Sequence, residues 1–161
     1  MALAKSRDKL ELRVDDRDLK RLFGSFSKMD EIAKEDIKRV ASQIADKNAK
    51  AIVSAAQSAP NPRQATAVVS TLQTVSTSKE PTLKLYRKNK VTSGGTEAGY
   101  LFPGSNFGSN NYKQFPPRAP RVGRGNLGYW LYNTLSKRQP EMLKEWLDSY
   151  KLIRDAWTGR I

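Results

Sequence analysis

The chain lacks two residue types on which much enzyme chemistry depends. Its 161 residues include no cysteine and no histidine. A disulfide framework, a thiolate zinc site and a cysteine nucleophile are therefore excluded. The absence of imidazole also excludes Ser-His-Asp and Cys-His catalytic groups. We accordingly expect no enzyme, no cofactor and no metal site.

Acidic residues are scarce in the middle of the chain. The whole chain has 29 Lys and Arg against 16 Asp and Glu, a net charge of +13. Residues 60–140 hold 12 basic residues and two acidic ones, Glu80 and Glu97, for a net charge of +10. The segments on either side mix both signs, as amphipathic structure does. We therefore expect the charge of the middle to be directed at something outside the chain.

Long apolar runs are also absent from the sequence. None approaches the roughly 18 residues that a membrane span needs, and the first residues lack the apolar stretch of a secretory signal. The length predicts one domain with a modest core. We expect a chain that folds in the cytoplasm and makes no membrane contact.

Hydrophobic spacing predicts a small α+β domain. Residues 10–14 alternate apolar and polar, which is typical of a half-buried strand, and a short helix follows over 15–24. The longest element is an Ala-rich helix from about Asp30 to Ala59, with apolar residues at intervals of three and four. Asp30 caps its start, and Asn48 is the one polar residue on the apolar stripe.

Three further segments predict a helix and the rest of the sheet. Pro62 suits the first turn of a shorter helix that ends near Leu72. Residues 71–78 are rich in β-branched side chains and 82–87 alternate, so these two segments form a β-hairpin. Residues 98–102 then supply a third strand. Together the segments predict a small antiparallel sheet, packed by the Ala-rich helix.

The last third of the chain is divided between a loop and a helical element. Residues 103–128 contain four prolines and repeated Gly, Asn and Ser, which predicts an extended, projecting basic arm. A C-terminal helical element follows over 129–157, interrupted at Pro140, with an amphipathic last helix and its tryptophans in the core. The helix and sheet core is assigned to residues 10–102 of this single domain.

One local motif imitates a nucleotide-binding site. Residues 123–128 match G-x-G-x-x-G, and Asp148 lies 20 residues beyond Gly128, as in a dinucleotide fingerprint. Such glycines must follow a buried strand, whereas a proline-rich stretch precedes these. Asp148 falls on the polar side of a predicted helix. We interpret the motif as a flexible hinge.

The carboxylates predict no catalytic site either. Acid–base catalysis needs two acids in a shared pocket, and most acids here cluster on predicted helix faces, where solvated charge is the ordinary explanation. If a carboxylate site existed, Glu97 would be the first acid to substitute. We therefore expect no catalytic residue.

The basic stretch with its aromatic residues is the candidate site, and three interpretations are open. The cations and rings contact phosphates and bases, or they dock on acidic protein surfaces, or the stretch only solubilises the chain. The residues that we expect to mediate protein interaction are Phe107, Tyr112, Phe115, Pro116, Arg118, Arg121 and Arg124. The residues that we expect to contact DNA or an acidic partner are Arg87, Lys88, Lys90 and Lys113.

Residues 107–118, FGSNNYKQFPPR, resemble the head–tail joining, or tail-completion, family of long-tailed bacteriophages. That family carries an aromatic-Gly-Ser turn, a Tyr-x-Gln-Phe-Pro segment and a short aromatic stretch that enters a C-terminal helix. Residues 128–132, GYWLY, and the predicted helix over 140–157 follow in that order. Residues 58–60, SAP, resemble the end of the family's long helix. The order of elements is similar over residues 10–157.

The resemblance implies a structural virion protein of the phage neck rather than an enzyme. Such proteins form an oligomeric ring, for which we expect a hexamer or dodecamer, and act as tail terminator or head–tail connector. The partners implied are other neck and tail proteins, namely the head-closure or adaptor ring and the tail tube, with DNA in the lumen. Assembly would take place in the host cytoplasm. The alternative is a basic nucleic-acid-binding protein.

Overall fold

A computed structural model describes residues 3–5, 9–13, 29–77, 79–120 and 127–159 of this α+β chain. The predicted helix over 15–24 lies outside the described residues, as do Arg121 and Arg124. In chain order the elements are β1 (Leu3–Lys5), β2 (Lys9–Arg13), α1 (Glu31–Gln57), α2 (Pro62–Val69), β3 (Leu72–Thr74), β4 (Thr82–Tyr86), α3 (Ala98–Phe107) and α4 (Leu131–Thr158).

The strands form one antiparallel sheet in the order β1-β2-β4-β3. Leu10 and Leu12 of β2 lie opposite Leu85 and Leu83 of β4, and Leu72 of β3 lies opposite Leu85 on the other side. Leu83 and Leu85 are both buried, as period-two patterning requires when one face of a strand meets the core. The predicted hairpin is confirmed, and the strand predicted over 10–14 is confirmed as β2.

Helix α1 begins and ends close to the predicted positions. The side chain of Asp30 accepts a hydrogen bond from the backbone N–H of Ala33 at 2.7 Å, which satisfies a donor of the first turn. The buried face packs against α4 and the sheet. Asn48 lies on that face; it donates to the carbonyl of Ile44 at 2.7 Å and accepts from Nε of Arg138 at 2.9 Å. The polar residue on the stripe therefore links α1 to α4.

Helix α4 runs unbroken from Leu131 to Thr158, so the predicted interruption at Pro140 is wrong. Proline inside a helix removes one backbone donor and costs about 3 kcal/mol. Buried side chains lie on both sides of Pro140, with Leu135 before it and Met142 after it. Each such side chain contributes roughly 1.5–3 kcal/mol when fully buried, so packing along α4 outweighs the local cost.

Residues 98–102 begin helix α3 rather than forming the predicted third strand. A short apolar run is compatible with either element. Here the backbone N–H of Ala98 donates to the carbonyl of Asn89 at 2.9 Å, which turns the chain into the helix, and Phe102 enters the core. The helix continues to residue 107, so the irregular structure predicted from residue 103 is also wrong over 103–107.

Asn106, near the end of α3, fastens the start of α4. Its side chain is fully buried, and Oδ1 accepts hydrogen bonds from the backbone N–H groups of Trp130 at 3.3 Å and Leu131 at 2.9 Å. Such donors at a helix start have no partner within the helix. The carbonyl of Asn106 also accepts from the N–H of Tyr129 at 2.6 Å. Gly128 lies so close that a Cβ there would overlap Asn106.

The buried apolar side chains form two clusters along α1. The sheet-side cluster joins the second half of α1 to the sheet, α2, α3 and the start of α4; it includes Ile52, Val68, Leu85, Phe102, Trp130 and Leu135. The helix-pair cluster joins the first half of α1 to the second half of α4; it includes Met29, Ile37, Ile44, Met142, Trp146 and Tyr150. Trp130 and Trp146 are core residues, as predicted, and half-buried Trp157 packs against the helix-pair cluster.

Candidate interaction surface

Residues 87–97, here called the basic hairpin, connect β4 to α3 through a hydrogen-bonded frame. The N–H of Val91 donates to the carbonyl of Thr96 at 2.9 Å. The turn between them contains Gly95 at φ +77°, a backbone conformation that favours glycine. The predicted contact residues that this frame presents are Arg87, Lys88 and Lys90.

Arg87 is held tightly at the base of the basic hairpin. The N–H of Gly99 donates to the carbonyl of Arg87 at 2.7 Å, and a Cβ on Gly99 would lie 3.0 Å from Cβ of Arg87. Nε of Arg87 is shielded from solvent and has no hydrogen-bond partner among the described residues. Burial raises the pKa of Tyr132, and the positive charge of Arg87 opposes that rise. Arg87 is therefore a half-buried cation in a fixed position.

Residues 109–118, here called the closed loop, fold back on themselves instead of projecting as an arm. The N–H of Ser109 donates to the carbonyl of Pro116 at 2.8 Å. The N–H of Arg118 donates to Oδ1 of Asn110 at 3.1 Å, so both ends of the loop are fastened. The predicted contact residues that the closed loop exposes are Tyr112, Lys113 and Arg118.

Three other predicted contact residues face the protein itself. The ring of Phe107 stacks on Tyr132, with ring centroids 5.6 Å apart. Phe115 packs over Gly104, where an added Cβ would lie 2.5 Å from the ring, and Pro116 is buried. Phe115 and Pro116 hold the closed loop against α3, and Phe107 joins α3 to α4. That these three residues anchor a partner stays a prediction.

A cleft of about 600 Å³ lies between the start of α2, the basic hairpin and the closed loop. We name it the amide cleft because three carboxamide residues line it: Asn61, Gln64 and Gln114. Asn61 joins two of its walls, since Oδ1 accepts from the N–H of Gln64 at 3.3 Å and Nδ2 donates to the carbonyl of Gln114 at 2.5 Å. Val91 and Leu101 add an apolar wall.

Three exposed cations lie in the segments that line the amide cleft or next to them in the chain. Arg63 lines it, and Lys90 and Lys113 immediately precede two of its lining residues in the chain. Glu97 lies opposite Lys90 in the basic hairpin. Within the described ranges, however, no carboxylate oxygen lies within 4 Å of any of these three cations. Their charge is therefore left to solvent or to a partner.

The charges on α1 and α4 are arranged in the opposite way. Nζ of Lys34 lies 2.8 Å from a carboxylate oxygen of Glu31, and Nζ of Lys144 lies 2.9 Å from Asp148. These hydrogen-bonded ion pairs hold the pKa values of Glu31 and Asp148 below their ordinary values. The surface of the helix pair thus neutralises much of its own charge.

The described residues contain no group of three or more His, Cys, Asp or Glu side chains placed to hold a metal ion. No helix in those same ranges has the length and apolar character needed to cross a membrane. Of the G-x-G-x-x-G match, Gly128 packs against Asn106 and the two earlier glycines lie outside the described residues. Asp148 pairs with Lys144 on an exposed helix face. Gly128 and Asp148 therefore have structural roles that do not involve a nucleotide.

No protein-family model, no curated protein and no solved structure matches this chain. The resemblance to tail-completion proteins therefore stays a prediction that rests on the letters of residues 107–118 and of the Ala-Pro helix end at 58–60, and on the order of elements, which includes residues 128–132. The segments 107–118 and 128–132 also have a role in the fold. The hydroxyl of Tyr129 donates to the carbonyl of Pro117 at 2.7 Å, which joins the closed loop to the start of α4.

Sequence reasoning missed the residues of the amide cleft. Asn61 and Gln114 are 53 positions apart, and only the tertiary fold brings them together. One local signal was present, because Asn before Pro at a helix start is typical of an N-cap. Tyr100 was missed because residues 98–102 were assigned to a strand of the sheet; on α3 it is 76% exposed.

Proposed function

We propose that this chain is a structural assembly protein of the bacteriophage neck that forms an oligomeric ring and completes the tail or connects it to the head. The supporting observation is the distribution of charge. Cations around the amide cleft have no carboxylate partner within the described residues, whereas α1 and α4 carry ion pairs. A surface that leaves its cations unneutralised attracts acidic partners.

A ring gives this surface a geometric purpose. In a cyclic assembly each subunit presents two different faces, one to each neighbour. The basic hairpin and the closed loop form one face, and the charge-paired helices form another. In this proposal the first face carries the contacts to acidic surfaces of neck and tail proteins, and catalysis has no part in the function.

Exposed aromatic rings favour nucleic-acid binding as the second candidate function. Tyr100 and Tyr112 are 76% and 63% exposed. Tyr100 lines a pocket together with Arg87 and Lys88, and Lys113 follows Tyr112 in the chain. Rings of this kind stack on bases while cations neutralise phosphates. For this function the logarithm of the affinity must fall steeply and linearly with the logarithm of the salt concentration.

Light scattering and negative-stain imaging of the purified protein, alone and with phage tails, test the first function. We expect rings in at least one of the two preparations. The double variant Tyr112→Ala/Arg118→Gln removes an exposed ring and a cation from the closed loop, and it should fold normally while ring formation or joining is lost.

The matched control is Leu152→Ala/Lys144→Gln on α4, which removes an apolar side chain that is 72% exposed and a cation of the helix pair. This control should assemble like the wild type. A protein that stays monomeric in both preparations and is absent from virions contradicts the proposed function. Normal assembly of the closed-loop variant would show that this face is not used.

A further inference from the structure

We propose that the amide cleft binds an extended acidic peptide segment of a partner protein. This inference deepens the proposed function and rests on it, because it names the chemistry that the basic face recognises. It concerns the cleft between α2, the basic hairpin and the closed loop, in which sequence reasoning placed no site. Its support comes from the shape of the cleft, from the unsatisfied carboxamide oxygen of Gln64 and from the unpaired cations.

The cleft has the size and the fixed walls that a peptide segment requires. Its volume of about 600 Å³ lies within the range of roughly 300–1,000 Å³ that is typical of ligand sites. Asn61 caps α2 and also holds the closed loop at Gln114. The Val91–Thr96 hydrogen bond fixes the third wall. A ligand therefore meets a largely preformed site, which reduces the entropy lost on binding.

Gln64 indicates a ligand that offers hydrogen-bond donors. It lines the cleft, and its Oε1 is shielded from solvent without a hydrogen-bond partner among the described residues. An unsatisfied buried acceptor is costly, and the terminal torsion of glutamine is soft, so a small rotation can turn the oxygen toward the cleft. A peptide N–H would supply the missing partner. A nucleic-acid phosphodiester, whose oxygens are all acceptors, would not.

The charges and the apolar wall specify the side chains of that peptide. Arg63 lines the cleft and has no carboxylate partner in the described ranges, so a carboxylate on the ligand would meet it. Lys90 and Lys113, which precede lining residues in the chain and are likewise unpaired there, add to the positive charge of the same segments. Val91 and Leu101 offer an apolar contact to one side chain of the ligand. The occupant with both features is an acidic segment that contains a small apolar residue.

Fluorescence anisotropy with three labelled probes tests this inference. The probes are the peptide Glu-Glu-Ala-Glu-Glu, the same peptide with glutamine in place of glutamate, and a single-stranded oligonucleotide of 12 thymidines. We expect the acidic peptide to bind at low salt and the glutamine peptide to bind at least about tenfold more weakly. Tighter binding of the oligonucleotide, displaced by the acidic peptide and weakened by Arg63→Gln, would overturn the assignment in favour of nucleic acid.

Two cleft variants and one control locate the binding. Arg63→Gln should weaken binding of the acidic peptide about tenfold, as loss of a charge-assisted hydrogen bond does. Gln64→Leu removes the unsatisfied acceptor, so it should weaken peptide binding without lowering the melting temperature. Lys144→Gln makes the same change of net charge on α4 and should leave peptide affinity within about twofold.

If Arg63→Gln and Lys144→Gln lose the same amount of peptide affinity, the inference is overturned, because binding then follows net charge alone. Unchanged affinity in Gln64→Leu would also overturn the assigned role of the carboxamide. Failure here is distinguishable from failure of the proposed function. If rings form but the acidic peptide does not bind the cleft, the peptide site is refuted and the proposed function is not. If the peptide binds specifically but the protein never assembles, the ring assembly is refuted.

Discussion

The two ends of the molecule, one built on the helix-pair cluster and the other on the sheet-side cluster, are each stabilised by a different kind of interaction. At the helix-pair end, α1 and α4 pack through residues spaced by three and four, and Lys47 on α1 reaches Glu141 and Glu145 on α4 at 3.3 and 3.0 Å. At the sheet-side end, single polar side chains join distant segments, as Asn106 does for Leu131 across 25 positions.

The same two ends differ in what they leave for a partner. Exposed ion pairs such as those of Lys47 contribute little to stability, so they matter more for surface charge than for stability. The cations around the amide cleft have no such pairing within the described residues. The comparison teaches that charge pattern and fold stability are separate properties of this chain, and each can be changed without the other.

The largest effect is expected from Asn106→Ala at the sheet-side end. The substitution leaves the backbone N–H groups of Trp130 and Leu131 without their acceptor in a buried position. We expect the free energy of unfolding to fall by about 3 kcal/mol, since each unsatisfied buried donor costs roughly 1–3 kcal/mol. Urea denaturation followed by circular dichroism measures the change.

The matched control is Asn48→Ala, which removes the buried asparagine of the other end. Its partner Arg138 is partly exposed and lies 3.8 Å from Glu141, so the guanidinium keeps alternative contacts. We expect a loss of about 1 kcal/mol. If Asn48→Ala proves as costly as Asn106→Ala, the sheet-side end does not depend specially on single long-range hydrogen bonds.

A smaller effect is expected from Gly104→Ala, which tests how the closed loop is attached. Alanine usually stabilises a helix interior relative to glycine by about 1 kcal/mol. Here its Cβ would lie 2.5 Å from the ring of Phe115, and such overpacking costs about 1–3 kcal/mol. We expect a net loss of about 1 kcal/mol in thermal or urea unfolding.

The double variant Gly104→Ala/Phe115→Leu should recover stability relative to Gly104→Ala, because the smaller side chain makes room for the new methyl group. Phe115→Leu alone provides the reference for the cycle. If the double variant loses as much stability as the two single variants together, Phe115 does not pack on Gly104. The closed loop would then need another attachment to α3.

The smallest effect is expected from the pH dependence of the helix pair. The hydrogen bond from Lys144 lowers the pKa of Asp148 in the folded state. The resulting stabilisation is fully present above the unfolded pKa, near 3.8, and is lost as the pH falls through the lower folded value. Asp148→Asn should therefore flatten slightly the decline of the melting temperature as the pH falls below about 4, where the unfolded carboxyl group begins to take up its proton.

The variant Lys144→Gln removes the hydrogen bond that lowers the pKa of Asp148, so it should flatten the decline of the melting temperature at acid pH to a similar degree. Thermal melts of both variants and the wild type at several pH values provide the comparison. If neither substitution changes how the melting temperature declines at acid pH, the surface pair has no measurable influence on stability, and stability at this end comes from the helix-pair cluster alone.

Periodic elements were predictable from the sequence, whereas elements that depend on distant contacts were not. The apolar stripe from Ala33 to Ala55 identified α1, and the cap at Asp30 placed its start. The hairpin of β3 and β4 followed from alternation and the intervening turn residues. In each case the determining interactions lie within a few residues of one another, so a local pattern contains the information.

The incorrect predictions share one physical cause. Pro140 was assigned an interruption from its local cost alone, yet burial of Leu135 and Met142 outweighs that cost. Residues 98–102 were assigned to a strand because an apolar run does not distinguish a strand from a buried helix. The amide cleft depends on the contact between Asn61 and Gln114, which no local pattern shows. Tertiary packing decided all three.

Chemical footprinting of lysines by acetylation and mass spectrometry tests the central claim most directly. The reactivities of Lys90 in the basic hairpin and Lys113 in the closed loop are compared with that of Lys144 on α4, in the free protein and in the assembly that we propose. The account predicts that assembly protects Lys90 and Lys113 and leaves Lys144 reactive. Protection of Lys144, with Lys90 and Lys113 as reactive as in the free protein, would contradict it.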